Sequence, residues 1–191
     1  MDHRRLQSVA VEYPYLRGLV AVPAGLLFVV AALGNSEWGP FASDVVFVAA
    51  VLAIAVACWL VTRHYDERFG RVTPSTRRQV RAAAVTVAGA ALMVGFSLLL
   101  RSRASWSLDL PVNPIPAVFA TLMLAYYAAV AGLRAHHVVI WGSLLLIGLV
   151  PVWDGGDPSN AGLVLAGVAV MVNGVCDHLA LVRALTPAAR A

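Results

Sequence analysis

Six long apolar runs, separated by short polar segments, make up most of the 191-residue chain. They occupy residues 16–33, 44–62, 82–100, 114–133, 138–153 and 161–182. Most of them approach the about 20 residues that an α-helix needs to cross a hydrocarbon core. The pattern predicts an all-α integral membrane bundle of six transmembrane helices. The fifth run is the shortest, so its helix is expected to begin in the preceding loop or to cross with little tilt.

Polar residues at the edges of these runs predict where several helices begin. Thr73-Pro74, Asn113-Pro114 and Asp157-Pro158 each place a capping residue before a proline, which favours a helix start. Ser43 is a candidate cap for the second helix. Pro23 is expected to kink the first helix or to end a short first turn. Capping therefore explains several polar residues without a functional role.

The composition supports a membrane location and limits the number of domains. Hydrophobic residues make up 60% of the chain and charged residues 13%, about half the charged share of a soluble domain. The six runs leave no room for a soluble domain, so residues 1–191 are predicted to form a single transmembrane domain. No small-residue cleavage site follows the basic start, so the first run is expected to be retained rather than removed as a signal peptide.

The distribution of charge predicts the orientation of the bundle. All fourteen basic residues are arginines, and twelve fall on one side of the predicted spans, against Arg101 and Arg103 on the other. Cytoplasmic loops carry the excess of basic residues, so both termini are predicted to be cytoplasmic and the protein to lie in the plasma (inner) membrane. Arginines at membrane edges favour anionic lipid head groups as partners and do not indicate nucleic-acid binding.

The longest polar segment, residues 63–81, joins the second and third runs and is strongly basic. Tyr65 and Phe69 are spaced i, i+4, so the second helix is expected to extend by another turn, with Gly70 suited to its end. The segment is a candidate docking surface for a protein or an acidic lipid, and the alternative is a hairpin that only fixes topology. The candidate partner- or lipid-binding residues are Arg63, Tyr65, Arg68, Arg71, Arg77, Arg78 and Arg183.

Asp177 and His178 form the second candidate site. An acidic residue within an apolar run is costly and marks a functional candidate. Because Asp177 lies near the predicted cytoplasmic end of its helix, it is expected to form a structural ion pair with an arginine or, with His178, to handle protons or bind a ligand. The catalytic candidates are Asp177, His178 and Asp109.

Each predicted outer loop contains a tryptophan and acidic residues. Convergence of these loops would create aromatic walls and negative charge suited to a cationic or amphipathic ligand. The alternative is a set of interfacial anchors and helix caps. The candidate ligand-binding residues of this outer face are Trp38, Trp106, Asp109, Trp153 and Asp154.

Motifs of common enzyme classes are missing from the sequence. It contains no glycine-rich phosphate loop, Gly-x-Ser-x-Gly elbow, His-Glu-x-x-His or Cys-x-x-Cys, so no cofactor and no metal site are predicted. His136 and His137 are adjacent, and adjacent helical residues point in different directions. Small residues such as Gly89 and Gly95 indicate close helix packing instead.

Two segments resemble parts of small multi-span membrane proteins of actinobacteria. Residues 64–72 are similar to a Tyr-x-x-x-Phe-Gly-x-Val loop of those proteins, and residues 174–183 to their closing Asp-His-x-x-Leu-Val-Arg segment. Neither motif denotes a known activity. The resemblance implies only that both segments belong together, as one cytoplasmic surface.

Three hypotheses for the function follow from these features. The leading one is a non-catalytic membrane subunit that presents the arginine-rich surface to a protein partner. The second is a small transporter, channel or ligand-binding protein, with a homodimer left open; the centres of the spans hold almost no ionisable residue, which counts against a proton-coupled carrier. The third is an intramembrane enzyme on a lipid or prenyl substrate, with Asp177 or Asp109 as its acid.

Overall fold

The computed structural model describes residues 17–69, 76–102, 114–149 and 158–185. Within these ranges the secondary structure is helical, with no strand, which confirms the all-α prediction for this part of the chain. The α-helices are α1 (Ala21–Asn35), α2 (Asp44–Phe69), α3 (Thr76–Ser102), α4 (Pro114–Tyr126), α5 (Ala135–Leu149) and α6 (Pro158–Leu185). Short 3-10 helices at Gly18–Val20 and Gly39–Ala42 precede α1 and α2, and a π-helical turn, Tyr127–Ala131, continues α4.

Several helix starts lie where the capping residues predict them. The helix α2 begins at Asp44, directly after Ser43, and α4 and α6 begin at Pro114 and Pro158. The predicted start at Thr73-Pro74 falls outside the described residues. Local capping chemistry thus places three of the helix starts correctly.

The helix boundaries also differ from the apolar runs in ways that the sequence anticipates. The helix α2 continues to Phe69, which confirms the extension predicted from the spacing of Tyr65 and Phe69. The helix α5 begins at Ala135, in the loop that precedes its short apolar run. Pro23 lies in the first turn of α1, after a 3-10 turn, where its missing N–H removes no helical hydrogen bond.

Three helical segments are long and apolar enough to cross a membrane, namely Gly18–Asn35, Asp44–Arg68 and Asn160–Ala184. Two shorter apolar helices are Ile115–Ala131 and Ala135–Leu149. Length and composition therefore support membrane crossing for half of the predicted spans.

The surface of α2 is suited to lipid rather than to water. Its large apolar side chains stay exposed along the whole helix, for example Val45 at 78%, Leu52 at 61% and Leu60 at 52% exposure. A continuous exposed apolar face of this kind marks a membrane or protein interface. Of these two interfaces, the membrane fits better, because the exposed face extends over a helix long enough to cross a hydrocarbon core.

The chain divides into two compact units, Met1–Pro74 with Leu163–Ala191 (unit 1) and Ser75–Gly162 (unit 2). The described part of unit 1 contains α1, α2 and most of α6, and that of unit 2 contains α3, α4 and α5. The sequence of unit 2 is thus inserted into that of unit 1. The prediction of a single transmembrane domain stays a prediction.

In unit 1, glycines bring the first and last helices together at backbone distance. A β-carbon on Gly25 would lie 2.5 Å from the carbonyl oxygen of Gly167, and one on Gly167 would lie 2.6 Å from that of Gly25. Gly18 and Gly174 meet in the same way. The glycines are seven residues apart in both segments, so they share one face of each helix. Small residues allow this close approach of membrane helices.

In unit 2, α4 and α5 form a helical hairpin, because only residues 132–134 separate the π-helical turn from α5. Gly132 ends the π-helical turn at a φ of +90°, and its N–H donates to the carbonyl oxygen of Tyr127 at 2.8 Å. The fully buried Trp141 packs edge-to-face on Phe119, with ring centroids 5.8 Å apart. These contacts fix the hairpin core.

His137 has a structural role at the start of α5. Its Nδ1 accepts the backbone N–H of Arg134 at 3.2 Å, so it occupies the place that Glu or Gln takes in a capping box. Its buried ring stacks on Tyr127 with centroids 3.7 Å apart. This bond requires Nδ1 to be unprotonated, which assigns the proton of the neutral imidazole to Nε2.

Candidate functional site

The main polar cluster of unit 1 joins three parts of the chain that are far apart in sequence. The residue before the first 3-10 helix, the C-terminal turns of α2 and the C-terminal half of α6 each contribute side chains. We call this group the Tyr65–His178 cluster. Its members are Arg17, Tyr65, Asp66, Asn173, Asp177 and His178.

Tyr65 is the centre of the cluster. Its side chain is fully buried together with Leu181, and Leu19 and Val61 pack against the pair. The Tyr65 hydroxyl lies 2.7 Å from Nδ1 of His178 and accepts the backbone N–H of Leu19 at 3.3 Å. A neutral histidine with its proton on Nε2 completes this chain of hydrogen bonds, because Nδ1 then accepts the hydroxyl proton. One side chain thus ties α2 both to α6 and to the segment before α1.

Arg17 and Asp66 form an ion pair, and Asp66 directly follows Tyr65 in the chain. Both side chains are 21% exposed, so water screens the pair less than it screens a fully exposed one. The guanidinium carbon also lies 5.9 Å from the centroid of the Tyr65 ring, within the range of a cation–π contact. The pair fastens the start of the first helical segment to the end of α2.

Asn173 and Asp177 are buried one turn apart on α6. The Asn173 side-chain amide donates to the Asp177 carboxylate at 2.9 Å, and the two residues are 1% and 3% exposed. A β-carbon on Gly18 would lie 2.8 Å from Cβ of Asp177, so this acid packs directly against the backbone. A buried carboxylate needs such polar partners, because its transfer out of water is costly.

The arginine ion pair described within this cluster joins Arg17 to Asp66. The carboxylate of Asp177 accepts from Asn173, and the ion pair predicted between Asp177 and an arginine stays a prediction. Asp66 occupies the exposed end of α2, where a carboxylate and a guanidinium both stay partly hydrated. The catalytic or ligand-binding role proposed for Asp177 and His178 stays a prediction.

The two segments that carry the family resemblance, residues 64–72 and 174–183, each contribute one side chain to a hydrogen bond of the cluster. Tyr65 belongs to the first segment and His178 to the second, and their side chains are hydrogen-bonded. The contact lies inside unit 1 rather than on a surface. The shared property of the two segments is therefore a common core contact.

The residues predicted to bind a partner or lipid differ in their surroundings. Arg63 is exposed, donates to Glu67 at 2.6 Å across one helical turn, and lies 5.6 Å from the Trp59 ring. Tyr65, predicted to bind a partner or lipid, is fully buried, so it can support that surface only from inside. The other predicted arginines whose side chains are described are exposed, namely Arg68, Arg77 and Arg183.

Several predicted site residues cannot be placed. Of the residues predicted for the outer face, Trp38 is 62% exposed and lies in the α1–α2 connection, directly before the 3-10 helix Gly39–Ala42. The remaining predicted residues of that face, Trp106, Asp109, Trp153 and Asp154, and Arg71 of the basic segment, lie outside the described residues. For Arg78, only the backbone within α3 is described. The outer-face site stays a prediction.

The sequence contained signals for some contacts that the predictions missed. The seven-residue spacing of Gly18 with Gly25, and of Gly167 with Gly174, marks two complementary small-residue faces. No sequence signal pairs Arg17 with Asp66, because ion pairing between distant segments depends on the fold.

The Tyr65–His178 cluster is therefore suited to holding three helical segments in register, and its exposed margin carries charge. In comparisons with known proteins, no family model, no curated protein and no solved structure matches this chain.

Proposed function

We propose that the protein is a non-catalytic, six-span plasma-membrane protein, with both termini in the cytoplasm, that presents a basic surface to a protein partner. The three membrane-length helices support this topology, with α3, α4 and α5 as the remaining spans. The strong bias of arginines to one side supports the orientation.

The observation that carries the proposal is the way the end of α2 is held. Tyr65 and Asp66 are fixed from inside, whereas Arg63, Glu67 and Arg68 on the same turns are exposed. Fixing the backbone lowers the entropy lost when exposed side chains dock onto a partner. Charged rims of this type steer association and give specificity.

Co-purification from native membranes tests the proposal. The tagged protein would be compared with a variant in which Arg68, Arg71, Arg77 and Arg78 are changed to glutamine. A matched control changes Arg101 and Arg103, on the opposite predicted side. We expect a reproducible partner with the wild type and the control, and about a fivefold or greater loss with the basic-segment variant.

Undiminished association in the basic-segment variant, at equal expression and equal thermal stability, would overturn the proposal. Equal loss in both variants would also overturn it, because the effect would then reflect net charge. Reporter fusions at residues 70–75, 103–113 and the C-terminus test the topology separately. A cytoplasmic signal from residues 103–113 would contradict the orientation.

The other two functional hypotheses make distinct demands. A transporter or channel needs a polar path from the predicted outer face, where Trp38 alone of the predicted ligand-binding residues lies within the described residues. An intramembrane enzyme needs an acid facing a substrate chamber, and the packing of Asp177 against Gly18 with a bond from Asn173 favours a structural role for this acid instead.

A further inference from the structure

An apolar groove runs between α3 and α4, entirely within unit 2. Its volume is about 540 Å³, within the roughly 300–1,000 Å³ of small-molecule sites. Val85, Gly89 and Leu92 line it from α3, and Phe119, Met123 and Tyr126 line it from α4. No charged side chain contributes to its lining, and the polar contributions are the hydroxyls of Thr86 and Tyr126. The groove is therefore suited to a hydrocarbon chain.

Gly89 opens the groove. A β-carbon on Gly89 would meet no atom of the described residues within 4 Å. This contrasts with Gly25 and Gly167, where the missing side chain admits another helix. Leu92, one turn further along α3, is 62% exposed, so the groove is open along its side. The space left by Gly89 is thus available to a ligand from the surrounding lipid.

Two arginines lie beyond one end of the groove, on the same face of α3. Arg77 and Arg81 precede Val85 at successive i+4 positions, and both side chains are exposed. Together with Val80 and Ala84 they line an adjoining depression of about 620 Å³. The helix contains no acidic residue to neutralise them. From Arg81 to Leu92 the face extends about 16 Å at 1.5 Å per residue.

We propose that this face of unit 2 binds an anionic phospholipid. Arg77 and Arg81 bind the phosphate, and one acyl chain lies in the groove beside Gly89. The order along α3, charged and then apolar, matches the order of head group and tail in the lipid. Arginine is suited to bidentate phosphate binding, and each basic residue near an anionic surface contributes about a fivefold gain in affinity. The inference rests on the proposed membrane location and shares Arg77 with the proposed partner surface, whereas Arg81 and Gly89 belong to the lipid site alone.

Lipid retention by the purified protein tests the inference. The protein would be placed in phosphatidylcholine nanodiscs with a small fraction of fluorescent phosphatidylglycerol, and binding read by energy transfer from its tryptophans. Gly89→Leu fills the groove without touching an arginine, and Arg77→Gln with Arg81→Gln removes the charge without changing the groove. Gly142→Leu is the matched control, because a β-carbon at Gly142 also meets open space, on α5.

We expect at least a tenfold loss of phosphatidylglycerol binding with Gly89→Leu, since several methylene groups lose their site. The variant with both Arg77→Gln and Arg81→Gln should lose about 25-fold in affinity for phosphatidylglycerol, about fivefold for each arginine. Gly142→Leu should bind the lipid as the wild type does. The inference would be overturned if Gly89→Leu bound phosphatidylglycerol as tightly as the wild type does. It would also be overturned if the wild type bound labelled phosphatidylcholine as tightly as phosphatidylglycerol. No partner protein is present in the nanodiscs, so failure here leaves the co-purification result unaffected. Gly89→Leu keeps every arginine of the basic segment, so it separates loss of the lipid site from loss of the partner surface.

Discussion

Replacing Gly25 with alanine is expected to force α1 and α6 apart. The added β-carbon would lie 2.5 Å from the carbonyl oxygen of Gly167 and 2.6 Å from Cγ of Met171, whereas ordinary contacts begin near 3.4 Å. The Met171 side chain can rotate, but the carbonyl oxygen is part of a helix backbone. The helices therefore have to separate by roughly 1 Å, and close-packed interiors do not absorb such a shift locally.

The expected size of the effect follows from two opposing contributions. Overpacking of a tight contact destabilises by about 1–3 kcal/mol, and alanine stabilises a helix by about 1 kcal/mol relative to glycine. Gly142→Ala is the matched control, because it has the same helix-propensity gain and open space around the new methyl group. The difference between the two variants therefore isolates the contact, at about 1–3 kcal/mol.

Thermal unfolding in a mild detergent, followed by circular dichroism or a dye-based assay, measures this difference. Gly25→Ala should melt below the wild type or at its temperature, and Gly142→Ala at or above it. If Gly25→Ala raised the melting temperature as much as Gly142→Ala did, the two helices would not be in backbone contact. The argument for the glycine faces of unit 1 would then fail.

Three further predictions concern single contacts. Asp66→Asn should destabilise the protein by about 1 kcal/mol in the same melting assay. Glu67→Gln, which breaks an exposed ion pair on the same helix, should destabilise it by less than about 0.5 kcal/mol. Equal effects of the two variants would contradict the special role of the ion pair between Arg17 and Asp66. Tyr65→Phe should cost about 1–2 kcal/mol, because it leaves two partly buried hydrogen-bonding groups, the Leu19 N–H and His178 Nδ1, without their hydroxyl partner. An unchanged melting temperature would refute this. Gly132→Ala should cost about 1–2 kcal/mol, since its φ of +90° strains an L-residue; a rise in melting temperature would show that this conformation is not required.

The sequence predicts the helices of this protein well because their determinants are local. Ser43 and the prolines at positions 114 and 158 mark helix starts through capping that involves only neighbouring residues. The extension of α2 to Phe69 follows from the spacing of two aromatic residues. Each of these signals depends on a few residues on either side and not on the rest of the fold.

The candidate site could be predicted only in part because its contacts are not local. The family resemblance suggested that the segments around Tyr65 and His178 belong together, and a hydrogen bond joins them. In the hydropathy pattern Tyr65 belongs to a polar segment, which predicts an exposed side chain. In the structure the side chain is buried, with Leu19 and Val61 packed against it. A single sequence does not reveal which distant segment covers a residue.

The glycine contacts of unit 1 impose an order on the biosynthesis of the protein. The face that carries Gly18 and Gly25 leaves the ribosome early, whereas Gly167 and Gly174 follow only after all of unit 2. Until then, α1 and α2 lack the contacts of their third helix. Apolar surface that stays exposed before its partner is made is prone to aggregation and is what chaperones protect. Shortening the chain within α6 should therefore affect how long the newly made first helices survive.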